Sequence, residues 1–374
     1  MKVAYLSKTF KHGGAASGNL AVIKALKLAK LELDIYSSDQ DSPLKNLFRK
    51  IERIFDHIIF GADSHFAKFY AESHSEIEFL RSYDLVQLGD VSGNLIPLEK
   101  LRSLNVPIVH RVSDMYPYAG SHHYFPEKKG SIESLLNEKI FTENFLFSPN
   151  KIIAPSKWIR DRILIYRPDL ADKFEIIPNA GVQEEVSLKK KNKKKHIRLG
   201  FISFNIFEER KGLRQLIKEV GKIKKNNKDI EIEIMVFGEG KPVIRQRFIS
   251  YFGKFKKENL ADIFSMFDIL MVPSLFDNSP NVIIEAYQNN TPVIVQKDTG
   301  ASEYVKVSST GFLYDFWSDL SNPNKLLEHI DEIKNAENHF QRNCISYYDI
   351  NFRPSVIGTK YLNIYQELSN GYKY

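Results

Sequence analysis

Short aliphatic and β-branched runs alternate with longer segments whose apolar positions recur at helical spacing, through both halves of the chain. This alternation predicts parallel sheets covered by helices, an α/β class, and its interruption midway predicts two sheets rather than one. In the first half the predicted strands are Val3 to Leu6, Leu33 to Ser37, Leu85 to Leu88, Pro107 to Val112, Lys151 to Ala154 and Glu175 to Ile177. Between the first two, Ala16, Leu20, Ile23 and Leu26 form one stripe at the period of a helix. In the second half the predicted strands are Arg198 to Ile202, Ile230 to Phe237, Phe248 to Phe252, Ile269 to Val272 and Pro292 to Val295, and Ser355 to Leu368 reads as a terminal helix.

From Gln183 to His196 apolar residues give way to charge, including the lysines of Lys189 to Lys195. A solvated linker and a patch for anionic lipid headgroups are both open readings of that run. The predicted division is a first domain over 1–182, a basic linker over 183–196, a second domain over 197–353 and a C-terminal helix over 354–374. Residues 40 to 80 carry amphipathic segments such as Leu47 to Ile59, which suit helical core packing or an excursion toward acceptor or membrane.

Composition narrows the setting. The start, MKVAYLSKTF, reads as a strand rather than a secretory leader, and no apolar stretch nears the roughly 20 residues of a membrane-spanning helix. The expected location is the cytoplasm, with peripheral contact on the inner membrane face. Cys344 is the only cysteine, which excludes an intramolecular disulfide and a cysteine-based zinc site. The net charge of +7 suits an anionic partner without choosing among nucleic acid, membrane and phosphorylated substrate.

The chemistry concentrates in PSLFDNSPNVIIEAYQNNTPVIV, from Pro273 to Val295. A strand ends at Pro273, a polar loop follows, and Pro280 suits the start of a helix because its missing N–H has no partner in a first turn. The backbone N–H groups of Asn281, Val282 and Ile283 then stand at a positive helix end, a seat for a diphosphate. Asp277 lies before that helix and Glu285 within it, so one carboxylate can reach a sugar ring and the other ribose hydroxyls. Upstream, Arg210 and Lys211 fall between a strand and a helix, where they can stabilise a departing nucleotide diphosphate without a metal, and Gly212 permits a tight approach. In the first half Gly13 and Gly14 follow the first strand, and their spacing is not the dinucleotide fingerprint GxGxxG. His110 ends a strand and is a candidate to face donor sugar or acceptor, and core packing is its alternative. Adjacent His122 and His123, without a helical i, i+4 histidine pair, give no metal-binding pattern.

The Pro273 to Val295 segment resembles the Glu-x7-Glu signature of the retaining family four glycosyltransferases, with Asp277 and Glu285 at the paired positions and Asp277 one methylene shorter than the family's glutamate. Gly300 and Glu303 in TGASEYV, and Gly311 in GFLYD, match the elements that follow. Lys211 matches the family's lysine. The stretch VHRVSDMYPYAGSHHYF is similar to one found in polysaccharide- and lipopolysaccharide-assembly members, with Asp114, Met115, Pro117, Gly120, His123 and Tyr124 in register.

This resemblance implies a GT-B fold: two facing Rossmann-like domains, a cleft, and a C-terminal helix returning to the first domain. It implies a retaining transferase that moves a sugar from a nucleotide-sugar donor to a lipid-linked glycan in bacterial surface polysaccharide or capsule synthesis, without metal or cofactor and without nucleic acid as partner. Asp277, Lys211, Arg210 and His110 are its expected catalytic residues. The donor is expected at Gly13, Gly14, Asn281, Val282, Ile283, Glu285 and Glu303, and sugar or acceptor at Asp114 and His123. A sugar-nucleotide epimerase of the same architecture and a non-catalytic glycan-binding homologue are the competing readings.

Overall fold

The computed structural model describes residues 1–11, 13–37, 77–92, 98–119, 147–184, 196–240, 244 and 246–371. In chain order the first unit contains β1 (Lys2–Leu6), α1 (Gly13–Leu28), β2 (Glu32–Tyr36), β3 (Leu85–Leu88), β4 (Ile108–Arg111), β5 (Lys151–Ala154), α2 (Lys157–Tyr166) and β6 (Phe174–Ile176). The second contains β7 (Ile197–Asn205), α3 (Leu213–Asn226), β8 (Ile232–Glu239), β9 (Ile249–Gly253), α4 (Leu260–Met266), β10 (Ile269–Val272), α5 (Asn281–Gln288), β11 (Val293–Gln296), β12 (Gly311–Tyr314), α6 (Pro323–Asn335) and α7 (Glu337–Asn351). A last helix, α8 (Pro354–Gly371), belongs to the first unit, so the units comprise Met1–Asn179 with Pro354–Tyr374, and Ala180–Arg353.

Each unit is built on six parallel strands, in the orders β2-β1-β3-β4-β5-β6 and β12-β11-β10-β7-β8-β9. Strands β3, β4 and β10 are buried at every position, as expected for parallel strands covered on both faces. In the second unit one face packs Leu216, Val220 and Ile223 of α3 with Ile330 of α6 against the sheet, and the other packs Ile283 and Tyr287 of α5 with Cys344 and Tyr348 of α7. In the first unit α8 lies on α1 at a glycine contact: a Cβ on Gly358 would stand 2.3 Å from the Ala25 carbonyl oxygen.

The first unit also encloses a polar cluster. The Tyr5 hydroxyl and an Arg111 Nη1–H both donate to Asn19 Oδ1, at 2.9 and 3.1 Å, and Arg111 Nη2–H donates to the Asn179 side chain. These partners are neutral and Arg111 is 2% exposed, so the cluster fixes β1, α1, β4 and the end of the first unit's main segment together.

Element boundaries agree closely with the hydrophobic pattern at β3, β5 and β10. Strand β12 is not among the predicted strands, because a glycine-led four-residue run carries little periodicity. Of the segment 40 to 80, residues 40–76 lie outside the described residues, as do Lys189 to Lys195. No described helix is long and apolar enough to cross a membrane.

Candidate functional site

In the second unit the chain leaves β7 toward β8 on one side of the sheet, while β10 lies on its other side. Strands β7 and β10 are therefore neighbours at the point where the strand order reverses, and the loops beyond their carboxyl ends flank a crevice of the kind that holds ligands in open α/β sheets. Lys211 follows β7 and Asp277 follows β10. Their side chains meet there, Lys211 Nζ donating to Asp277 Oδ2 at 2.6 Å, with side-chain exposures of 22% and 9%.

Backbone geometry makes that meeting specific. Residues Glu209–Lys211 form a 3-10 turn closed by Gly212 in the left-handed region at φ +77°. A Cβ on Gly212 would stand 2.2 Å from the Pro273 carbonyl oxygen, so only glycine lets the turn approach the loop after β10 this closely. The two segments are then laced together: Leu275 N–H donates to the Arg210 carbonyl at 2.7 Å, and Arg210 Nη1–H donates to the Phe276 carbonyl at 3.1 Å. Arg210 Nε also pairs with Glu208. The guanidinium expected to serve the diphosphate thus braces the two loops, because the carbonyl and carboxylate of this crossing lie within its reach.

Helix α5 begins just beyond Asp277, with Pro280 as its N-cap and no side-chain cap. Asn281 and Val282 occupy its first turn, half-buried, whereas the Ile283 N–H already donates to the Pro280 carbonyl at 3.1 Å and Ile283 is buried. Three free amides were expected there, and the one at Ile283 is occupied because the turn closes early as a 3-10 contact. Glu285 is half-buried one turn further along α5. The turn Gly300–Tyr304 reaches the same loop: Ala301 N–H donates to the Asp277 carbonyl at 3.1 Å, and the Ser279 and Tyr304 hydroxyls are 2.6 Å apart. Glu303 is exposed on that turn.

The expected residues of the first unit divide differently. Gly13, at φ +91°, opens α1, and a Cβ added at it or at Gly14 would meet no atom of the described residues within 4 Å. His110 lies in β4, 1% exposed, with Nδ1 2.8 Å from the Tyr118 hydroxyl and Nε2 3.1 Å from the Gly89 carbonyl. Burial pushes its pKa down to about 4. The histidine expected to face substrate is instead a packed, neutral core residue, because both ring nitrogens are engaged and the ring lies against Phe147 and Tyr118. Asp114 is half-buried and accepts the Tyr116 N–H at 2.9 Å. His123 lies outside the described residues.

Sequence reading missed Trp317 and Tyr304, whose indole N–H and hydroxyl reach the Pro273 carbonyl and the Ser279 hydroxyl of the loop after β10. Neither carries a local signal: Trp317 stands in an irregular segment and Tyr304 inside a five-residue turn.

Residues 196–334 match the family model described as Glycosyl transferases group 1. No curated protein sequence matches the chain. Among solved structures, sucrose-phosphate synthase from Thermosynechococcus elongatus is similar at 16% identity and a TM-score of 0.69, covering 99% of this chain and 100% of the other. HepE of Anabaena, solved in complex with UDP-glucose, is similar at 15% identity and a TM-score of 0.67, covering 98% and 100%. The lipopolysaccharide outer core galactosyltransferase WaaB is similar at 13% identity and a TM-score of 0.61, again covering 98% and 100%. The two parallel-sheet units match the GT-B fold of these structures, and the second unit carries a group 1 glycosyl transferase domain: the chain is a glycosyltransferase.

Proposed function

We propose that this enzyme moves a sugar from a nucleotide-sugar donor to a glycan acceptor of a surface polysaccharide, with retention of anomeric configuration. The observation that carries the reading is the Lys211–Asp277 pair at the β7/β10 reversal, directly before the positive end of α5. An ammonium has three N–H donors. One binds Asp277, and the others are available in kind to the oxygens of a diphosphate seated at the start of α5.

In the proposed reaction the bond between the anomeric carbon and the diphosphate oxygen breaks as a bond from that carbon to an acceptor hydroxyl forms. The departing phosphate, held by Lys211 and the first turn of α5, takes the hydroxyl proton. Asp277 orients Lys211 and stands beside the sugar as positive charge develops on it. Glu285 is assigned to the ribose hydroxyls and Glu303 to the donor sugar. Arg210 contributes by holding the two loops in register. No metal takes part in this scheme, and chelator should leave the rate nearly unchanged.

UDP-glucose is the first donor to try, on the strength of the similar HepE complex. A lipid-linked acceptor and contact with an anionic membrane face belong to the same proposal, supported by the net charge of +7 and by likeness to a lipopolysaccharide galactosyltransferase. The test is a panel of UDP-, GDP- and dTDP-sugars screened by thermal shift, followed by transfer to lipid-linked glycans with the product anomer read by NMR. Inversion at the anomeric carbon would overturn the retaining assignment, loss of turnover in EDTA restored by manganese would overturn metal independence, and conversion of donor to an isomeric nucleotide sugar without acceptor would favour an epimerase.

A further inference from the structure

The Pro273 carbonyl is the point from which the loop bearing Asp277 departs, and it is held from two sides. Proline has no N–H, so this oxygen is the residue's one backbone group able to hydrogen-bond. On one side Gly212 packs against it at the distance that only a glycine allows. On the other, the indole Nε1–H of Trp317 donates to it at 2.7 Å. Trp317 is half-buried and is fixed in turn by Asp315, whose Oδ1 accepts the Trp317 backbone N–H at 3.3 Å, the Ser318 N–H at 3.2 Å and the Gln296 side chain at 3.2 Å. Lys297 pairs with the same carboxyl at 3.1 Å. The segment after β12 is thus built as a bracket whose indole reaches across β11 to the loop after β10.

We propose that Trp317 is a positioning residue for the reaction, acting through the Pro273 carbonyl on the Lys211–Asp277 pair. This rests on the assignment of Lys211 to the donor diphosphate. The contact fixes the start of the loop against the Lys211 turn, and Asp277, four residues on, inherits that placement. Rigid support of this kind matters more in the transition state than in ground-state binding, because small displacements of charged groups cost rate when charge is moving. The same hydrogen bond ties an intrinsic fluorophore to the site. Trp317 is one of only two tryptophans in the chain, so its emission should respond when the diphosphate site is occupied.

The test compares wild type, Trp317→Phe and Lys211→Met. Phenylalanine keeps an aromatic ring and loses the N–H donor together with part of the indole's volume. With UDP-glucose, Trp317→Phe is expected to lower kcat on the order of tenfold, the scale of one lost hydrogen bond, while the donor KM stays close to wild type and the melting temperature falls by only about a few degrees. In a Trp158→Phe background, UDP should shift the Trp317 emission, and Lys211→Met should abolish that shift. Should Trp158→Phe fail to fold, the same signal is read as the UDP-dependent emission of wild type minus that of Trp317→Phe. An unchanged kcat in Trp317→Phe, or a fall that only tracks a lower melting temperature, would overturn the positioning role while leaving the assignment of Lys211 intact. Wild-type affinity for UDP in Lys211→Met would instead overturn the diphosphate assignment, and the role of Trp317 with it; so would a wild-type chain that binds none of UDP, GDP and dTDP.

Discussion

Lys211 and Asp277 are 66 positions apart in the chain, yet Nζ and Oδ2 lie 2.6 Å from one another. Both side chains are largely shielded, so each charge is the other's main compensation, and removing one leaves the second exposed to the full cost of its partial burial. Asp277→Asn should lower kcat on the order of 10²-fold with nucleoside diphosphate affinity little changed, and Lys211→Met should weaken both. Because the two act as one unit, the double variant should lose less than the product of the single losses, a coupling read directly from single-turnover rates in a four-protein cycle. Wild-type transfer by Asp277→Asn would remove Asp277 from the sugar site.

Two glycines of the second unit allow a controlled comparison. Gly212 and Gly253 both sit in the left-handed region, at φ +77° and +73°, but a Cβ would strike the Pro273 carbonyl at Gly212 and nothing within 4 Å at Gly253. Gly253→Ala should cost about 1 kcal/mol in urea unfolding, from backbone strain alone. Gly212→Ala should cost more and should abolish most transfer, since the clash pushes the Lys211 turn off the loop after β10. Equal costs for the two would mean that the close approach at Pro273 is easily relieved.

His110 should give the first unit a pH-dependent stability. Its pKa is lowered to about 4 by burial, from an ordinary value near 6.5, so between these values the unfolded chain binds a proton that the folded chain refuses. The contribution is complete above about pH 6.5 and is lost as pH falls toward 4. His110→Gln removes this titration, so the difference in melting temperature between pH 7 and pH 5 should be smaller in the variant than in wild type. An unchanged difference would mean that other groups dominate acid destabilisation.

Glu285 lies within α5 rather than in the loop, and its assignment is to ribose, a part of the donor that does not react. Glu285→Gln should therefore raise the donor KM several-fold with kcat nearly constant, the pattern of a contact made equally in ground and transition states. A fall in kcat at constant KM would move Glu285 to the reacting sugar.

Local pattern determined the class of the fold, because short apolar runs such as Ile269–Val272, suited to strands buried on both faces, recur between longer segments at helical spacing, and because prolines and glycines mark where many runs stop. The spacing of Asp277, Pro280 and Glu285 was equally legible, since loop, helix start and helix interior are set within a dozen residues. Which side chains would meet was not. That Lys211 touches Asp277, that Trp317 reaches Pro273 from 44 positions away, and that Arg210 braces a loop all follow from the strand order β12-β11-β10-β7-β8-β9, which brings together the ends of strands distant in sequence. His110 shows the same limit: a histidine at a strand end reads alike whether it faces solvent or core, and only the packing of Tyr118, Phe147 and the Gly89 carbonyl around it decided that it is buried and neutral.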